Sequence, residues 1–444
     1  MLTNDGASSE SAQSGFASLG LHDALLKALE QAGYRQPTPV QTATIPAAIE
    51  GADLMVCSAT GSGKTAAFVL PALQRMSDGA RRTSAGGGPR MLVLAPTREL
   101  VMQVAKACET YGRFFKWLRV ATVVGGVPYG AQLKAIRGSL DILVATPGRL
   151  IDHLESGRLN LSNVEVLVLD EADRMLDMGF IEDIQRIAEA TPRTRQTVLF
   201  SATLGGRIAA LGAELLRQPR RIELESHRDR HENISQRLHW ADSRSHKERI
   251  LDRLLGDPDI DQAIVFTSTQ QDAERVAAQL AEDGHAVAPL HGGMPQGVRN
   301  RTLNALRQRR LRVLVATDVA ARGIDVPSIS HVINYGLPIS AEDYVHRIGR
   351  TGRAGRSGLA ITLAQPEDAH KIRQIERFTA QRLPASTLEG LEPRARPAVM
   401  PTRTGNGRPG AGRRPDGRGA GHRDGASRGT PKPTGAPQRA RRGV

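Results

Sequence analysis

A chain of 444 residues suffices for two or three domains, and its two cysteines, Cys57 and Cys108, lack paired or metal-ligand spacing, which argues against a disulfide framework or zinc site. The first thirty residues have no apolar core, and no run approaches the ~18–20 apolar residues that span a bilayer, so a soluble cytoplasmic protein with no membrane partner is expected. Of the formal net charge of +14, residues 393–444 carry +11, from 13 Lys and Arg against two acidic residues.

In chain order, residues 1–15 are polar and expected to be disordered. Short β-branched runs then alternate with amphipathic helical stretches. The runs at 53–57, 91–95, 120–124, 141–145, 165–169 and 197–200 read as strands. So do 263–267, 286–290, 312–316, 331–335 and 359–363. Strands separated by helices imply βαβ units and parallel sheets. Eleven strands exceed one ordinary core, so two α/β domains are expected, over 16–225 and 237–390. The charged, pattern-free stretch 226–236 is the expected linker, and 77–90 with its GGG is an expected mobile surface loop. The pieces DILVATPGR and RVLVATDVAARG hint at two copies of one fold. Residues 391–444, rich in Gly, Pro and Arg, are an expected disordered basic tail. Without aromatic side chains it would hold a polyanion through phosphate charge rather than stacking.

Nearly every Gly-, Thr-, Asp- or Arg-rich signature follows a strand, where open parallel sheets bind ligands. SATGSGKT at 58–65 lies between a strand and a helix. It fits a Walker A loop with Ser58 in place of the first glycine. Backbone N–H groups of Ala59, Thr60, Gly61, Ser62 and Gly63 would wrap a polyphosphate, Lys64 would reach it, and the Thr65 hydroxyl would hold Mg²⁺. Asp170-Glu171-Ala172-Asp173 closes the apolar strand VEVLVL. Asp170 is the expected second Mg²⁺ contact, Glu171 the group that deprotonates the attacking water, and Asp173 an internal hydrogen-bonding group.

These strings, with GYRQPTPVQ at 33–41, APTREL at 95–100, Gly125-Gly126, TPGR at 146–149 and SAT at 201–203, resemble a DEAD-box ATP-dependent RNA helicase of bacterial type. VFTST at 265–269, Gln296 with Arg299, ATDVAARGID at 316–325 and HRIGRTGR at 346–353 continue the match. The resemblance implies two tandem RecA-like domains, ATP and Mg²⁺ as cofactors, and RNA as partner. It places Gln41, of the Q motif, and Phe16 on the adenine ring and Asp325 on the ribose. Pro96, Thr97, Arg98, Gly126, Thr146, Gly148, Arg149 and Thr317 fall on the RNA backbone. Ser201, Thr203 and His346 fall on coupling or interdomain contacts. Arg350 and Arg353 from the second half meet the γ-phosphate beside Lys64, Asp170 and Glu171.

Leu306, where Phe is common, and Gly336, where Asp is common, depart from the family pattern. Of the remaining Gly-Arg string, Gly349 and Gly352 are expected in tight turns or close approaches, and Arg347 and Arg356 at the surface. The leading function is RNA-stimulated ATP hydrolysis that separates short duplexes with little sequence specificity, with ribosomal or RNA-decay proteins as possible partners. An ATP-dependent RNA clamp and a non-enzymatic RNA chaperone are the alternatives; the intact ATPase residues argue against the second.

Overall fold

The computed structural model describes residues 15–58, 61–78, 88–224 and 233–394, apart from 322–323, 325, 327 and 353–355. Within them two all-parallel sheets form. The first contains β1 (Leu54–Cys57), β2 (Met91–Leu94), β3 (Val120–Val123), β4 (Ile142–Ala145), β5 (Val166–Leu169), β6 (Gln196–Ser201) and β7 (Arg220–Glu223), in the order β3-β4-β2-β5-β6-β1-β7. The second contains β8 (Ile234–Trp240), β9 (Gln262–Thr267), β10 (Val287–Leu290), β11 (Val313–Thr317), β12 (Ile329–Asn334) and β13 (Gly358–Ala364), in the order β10-β11-β9-β12-β13-β8.

Helices cover both faces, so central strands are apolar on every residue rather than on alternate ones. All four residues of β2, β4 and β5 are buried. Met91 and Val93 join Phe68 and Phe200 in one core, while Leu92 and Leu94 join Leu143 and Leu167 in the other. The second sheet repeats this arrangement, with Val265, Val315 and Ile333 on one side and Ile264, Phe266 and Leu314 on the other. No helix among the described residues is long and apolar enough to cross a membrane.

Two strands escaped the sequence reading. Strand β7 is RRIE, an edge strand with three exposed residues and little apolar signal. Strand β8 begins at Ile234, so the end of the expected linker is strand, pairing in parallel with β13 from Gly358↔Ile234 onward. Residues 226–232 of that linker lie outside the described residues. The expected loop at 77–90 is also shortened. Ser77 and Asp78 end a helix, Gly88 and Pro89 are buried, and 79–87 are not described.

The second domain reaches past the expected start of the tail. Ser386 donates its N–H to the Leu238 carbonyl at 2.8 Å, and Leu388 and Leu391 pack on the core. The Arg394 N–H meets the Asp242 carboxylate at 2.9 Å. Residues 1–14 and 395–444, expected to be disordered, are not described.

Arg347, expected at the surface, is instead buried. It is 2% exposed, because the helix Ala341–Ile348 turns it into the second domain. Its Nε and Nη2 donate to the two Asp318 oxygens at 2.6 and 2.7 Å, and Nη1 donates to Asn334 Oδ1 at 3.2 Å. The Gly336 carbonyl accepts from Nη1 too, and the guanidinium lies 4.9 Å from the Phe266 ring centre. A Cβ on Gly336 would run into the Ser268 backbone N–H, so glycine suits that departure from the family pattern. Gly352 is a close approach, at φ +66° against Ile234, whereas Gly349 has an ordinary φ of −65°.

Removing one partner of a buried charge pair typically costs ~3–5 kcal/mol. Asp318 is partly solvated, so Arg347→Ala should cost the second domain about 3 kcal/mol, at the low end of that range. Urea unfolding of the full chain checks this; a midpoint matching wild type would contradict it.

Candidate nucleotide and nucleic-acid site

The loop after β1 is held from below, where the Ser58 N–H donates to the Ser201 carbonyl at 3.0 Å. Its described glycines, Gly61 and Gly63, take φ +78° and +89°, conformations that L side chains rarely adopt. Lys64 then opens the helix Lys64–Asp78, whose N-terminus is suited to an anion. Ala59 and Thr60 lie outside the described residues.

The Gln41 side chain fastens this loop to the preceding helix, Pro39–Ile49. Its Oε1 accepts from the Thr38 N–H at 2.9 Å, completing a capping box, while its Nε2 donates to the Gly63 carbonyl at 2.9 Å. A Cβ on Gly63 would press on that amide nitrogen. Phe16 is buried in the core that includes Leu19 and Leu25.

Lys64 Nζ lies 3.0 Å from Asp170 Oδ1 and 3.5 Å from Glu171 Oε1, and all three side chains are buried. Burial works against the ammonium, but the two carboxylates outweigh it and hold the Lys64 pKa above its ordinary value. Burial pushes the Asp170 carboxyl up, with Lys64 opposing. Among the described residues, the fully buried Asp170 carboxylate is met by the Lys64 ammonium. Such a desolvated carboxylate, paired with the first residue of the helix that Lys64 and Thr65 open, fits the oxygen ligation of Mg²⁺. Glu171 sits at φ +53°, ψ +53°, a strained position for a glutamate at the end of β5. Asp173 faces inward, 3.8 Å from Arg174 Nε.

The residues expected to grip RNA follow the ends of β2, β3 and β4 in the first sheet and, for Thr317, of β11 in the second. Thr97 caps the helix Arg98–Tyr111, and its Oγ1 accepts from the Leu100 N–H at 3.3 Å; Pro96 beside it is buried. The Arg98 guanidinium fills the space over Gly126, where a Cβ would overlap it. Thr146 precedes the helix Pro147–Glu155, in which Gly148 packs near Phe180. Arg149 donates to the Val127 carbonyl at 3.1 Å and to Asp152 at 3.1 Å. Thr317 ends β11 and is nearly buried. Ser201 Oγ accepts from the Thr203 N–H at 3.2 Å.

Among the described residues, contacts of four side-chain pairs join the halves. Arg98 Nη1 donates to Gln296 Oε1 at 2.7 Å. Arg299 Nη2 meets Glu99 Oε1 at 2.6 Å with both side chains buried. Arg174, directly after the DEAD string, meets Asp343 at 2.6 Å, and its Nη2 lies 3.5 Å from His346 Nε2. His346 thus stands at the joint. Arg350 is 6% exposed; its Nη1 donates to the Ile324 carbonyl at 3.1 Å. Arg353 and Asp325 are outside the described residues.

The sequence reading missed Arg174, Glu99 and Asp343. Nothing in a single sequence distinguishes a charged residue that pairs across two domains from one on a solvated helix face. Arg174→Ala combined with Arg299→Ala should loosen the halves. We expect a larger radius of gyration in small-angle X-ray scattering with an unchanged far-ultraviolet dichroism spectrum; an unchanged radius would count against these bridges.

Comparison with known proteins follows the same division. The DEAD/DEAH box helicase family model matches residues 38–211, and the helicase conserved C-terminal domain matches 246–355. The chain is 44% identical over 383 residues to the ATP-dependent RNA helicase SrmB of Haemophilus influenzae, covering 86% of this chain and 87% of that one. It is 43% identical over 377 residues to the ATP-dependent RNA helicase DeaD of Mycobacterium tuberculosis, covering 85% of this chain but 65% of the relative. Dbp5 of S. cerevisiae, solved bound to RNA and ADP BeF3, superposes with a TM-score of 0.76 at 29% identity, covering 84% of this chain and 95% of that one. Two RecA-like domains, the DEAD residues at the end of β5 and matches across both halves lead to one conclusion: the chain belongs to the DEAD/DEAH box helicase family, as a DEAD-box RNA helicase of the bacterial type.

Proposed function

We propose that this chain couples ATP hydrolysis to closure of its two halves on RNA, opening a few base pairs of a short duplex with little sequence preference. The observation that carries the reading is the buried Lys64–Asp170–Glu171 cluster beside the P-loop, with the helix Ala341–Ile348, which leads into Arg350, tied to the first half through Asp343 and Arg174.

In this reading Phe16 and Gln41 receive adenine, Asp325 the ribose, and the loop from Ala59 to Thr65 the phosphates. Lys64 neutralises the β- and γ-phosphates. Glu171 holds the attacking water and takes its proton. Thr65 and Asp170 would hold Mg²⁺, which when bound neutralises charge developing on the phosphate oxygens. Arg350 and Arg353 complete the site from the second half, making turnover depend on closure.

Pro96, Thr97, Arg98, Gly126, Thr146, Gly148, Arg149 and Thr317 offer hydroxyls, N–H groups and guanidinium to the sugar–phosphate backbone, which positions a strand without reading its bases. Contacts to 2′-hydroxyls favour RNA over DNA. RNA and ATP each favour the closed form, so each raises affinity for the other. Ser201, Thr203 and His346 link the nucleotide site to strand opening. A cytoplasmic location, and ribosomal or RNA-decay proteins as partners, belong to the same reading.

ATPase assays of the full chain with RNA, DNA or neither provide the test. RNA should stimulate turnover and DNA should not; equal rates in all three would overturn the reading. Glu171→Gln should abolish turnover while retaining RNA in the presence of ATP. Arg353→Ala should lower kcat by roughly 10³–10⁵. Truncation should be made after residue 394, since Leu391 and Arg394 belong to the folded domain. That variant should keep its maximal rate and lose RNA affinity.

A further inference from the structure

The helix Gln296–Arg307 starts at the joint between the halves and runs away from it for about 16 Å at 1.5 Å per residue. Its sequence surroundings are unusual for a body that carries so little of the net charge. From Gly284 to Thr317 there are six arginines and no Asp or Glu.

Two of the six are held internally. Arg299 pairs with Glu99, and Arg312 donates to the carbonyls of Ile260 and Asp257. Arg309 is neutralised by Asp261 at 3.1 Å. Arg301, Arg307 and Arg310 are exposed and have no carboxylate partner among the described residues.

The exposed face is also polar in a continuous line. Arg98 donates to Gln296 at 2.7 Å, Gln296 Nε2 donates to Asn300 Oδ1 at 3.2 Å, and Arg307 Nη1 donates to Asn304 Oδ1 at 3.3 Å. Asn300, Arg301, Asn304 and Arg307 are exposed, at spacings that share one side of a helix. No apolar side chain interrupts them, as a protein-docking face would require at its centre.

We propose that this face is a second RNA-backbone surface, which takes the strand as it leaves the cleft and holds its phosphates through Arg301 and Arg307, with Asn304 between them. The proposal rests on the RNA reading given above. The amides and guanidinium groups recognise phosphate and 2′-hydroxyl oxygens, so the surface adds affinity without sequence preference. It also places the grip outside the region that must open and close.

The test uses the full chain with a non-hydrolysable ATP analogue and two RNAs. One is the shortest single strand that stimulates ATP turnover; the other is the same strand extended at its 5′ or, separately, its 3′ end. In wild type an extension at one end should tighten binding. In Arg301→Ala/Arg307→Ala that gain should shrink, and the slope of log affinity against log salt for the extended RNA should fall by about 1.4, or 0.7 for each phosphate no longer neutralised. Binding of the short strand and its stimulation of turnover should not change, which also certifies the fold. Asn304→Asp, which sets a carboxylate within the face while keeping both arginines, should weaken the extended RNA alone. An undiminished gain and slope in the double variant would overturn the proposal, as would equal weakening of both RNAs. Failure of the short strand to bind wild type would instead overturn the RNA reading itself.

Discussion

A buried ammonium group must be met by carboxylate, and a buried carboxylate by a cation, because leaving either alone in a poorly solvated interior costs several kcal/mol. Lys64, Asp170 and Glu171 meet that requirement among themselves. The requirement fixes much else. Lysine and acidic pair follow β1 and β5, the two strands that flank β6, so the sheet must hold its register for their charges to meet. Because each follows the carboxyl end of its strand, Asp170 and Glu171 directly and Lys64 across the loop after β1, the sheet converts a local electrostatic need into one shared edge where phosphate can enter. A triphosphate arriving there would take over part of Lys64 from the carboxylates, so ligand and protein use the same charge in turn.

The second half answers the first by the same rule. Arg299 and Arg174 are each nearly excluded from water, and each is paired with a carboxylate of the opposite half. Such bridges hold the halves only while their geometry is good, since separation returns four charged groups to water at little cost. Ion pairs of this kind make a joint that can break and reform, unlike an apolar interface of equal area. That property would suit the closing and reopening proposed above.

The fold was legible because parallel strands buried on both faces leave unmistakable apolar runs. It failed where that physics does not apply, at RRIE in β7 and at the alternating ISQRLHW of β8, both at sheet edges. The nucleotide loop was legible because phosphate binding needs glycine, lysine and hydroxyl at fixed spacing. The site residues that escaped, Arg174, Glu99 and Asp343, are charged groups whose meaning lies entirely in their partners. Arg347 and Arg356 look alike in the string HRIGRTGRAGR; one is packed against Phe266 and Asp318, the other exposed. The string is therefore part folded core and part surface, and composition could not divide it.

The bridge made by Gln41 has a consequence for how a base would be chosen. Its amide already satisfies one half-buried N–H, from Thr38, and one carbonyl, from Gly63. A base that claims this amide exchanges hydrogen bonds rather than adding them, so the right base gains little from the exchange. A base lacking a matching donor and acceptor would strand polar groups at about 1–3 kcal/mol apiece. Selectivity at this position would then arise by refusal of mismatched bases, and the refusal would be felt in the phosphate loop, since the Gly63 carbonyl is one of the groups set adrift.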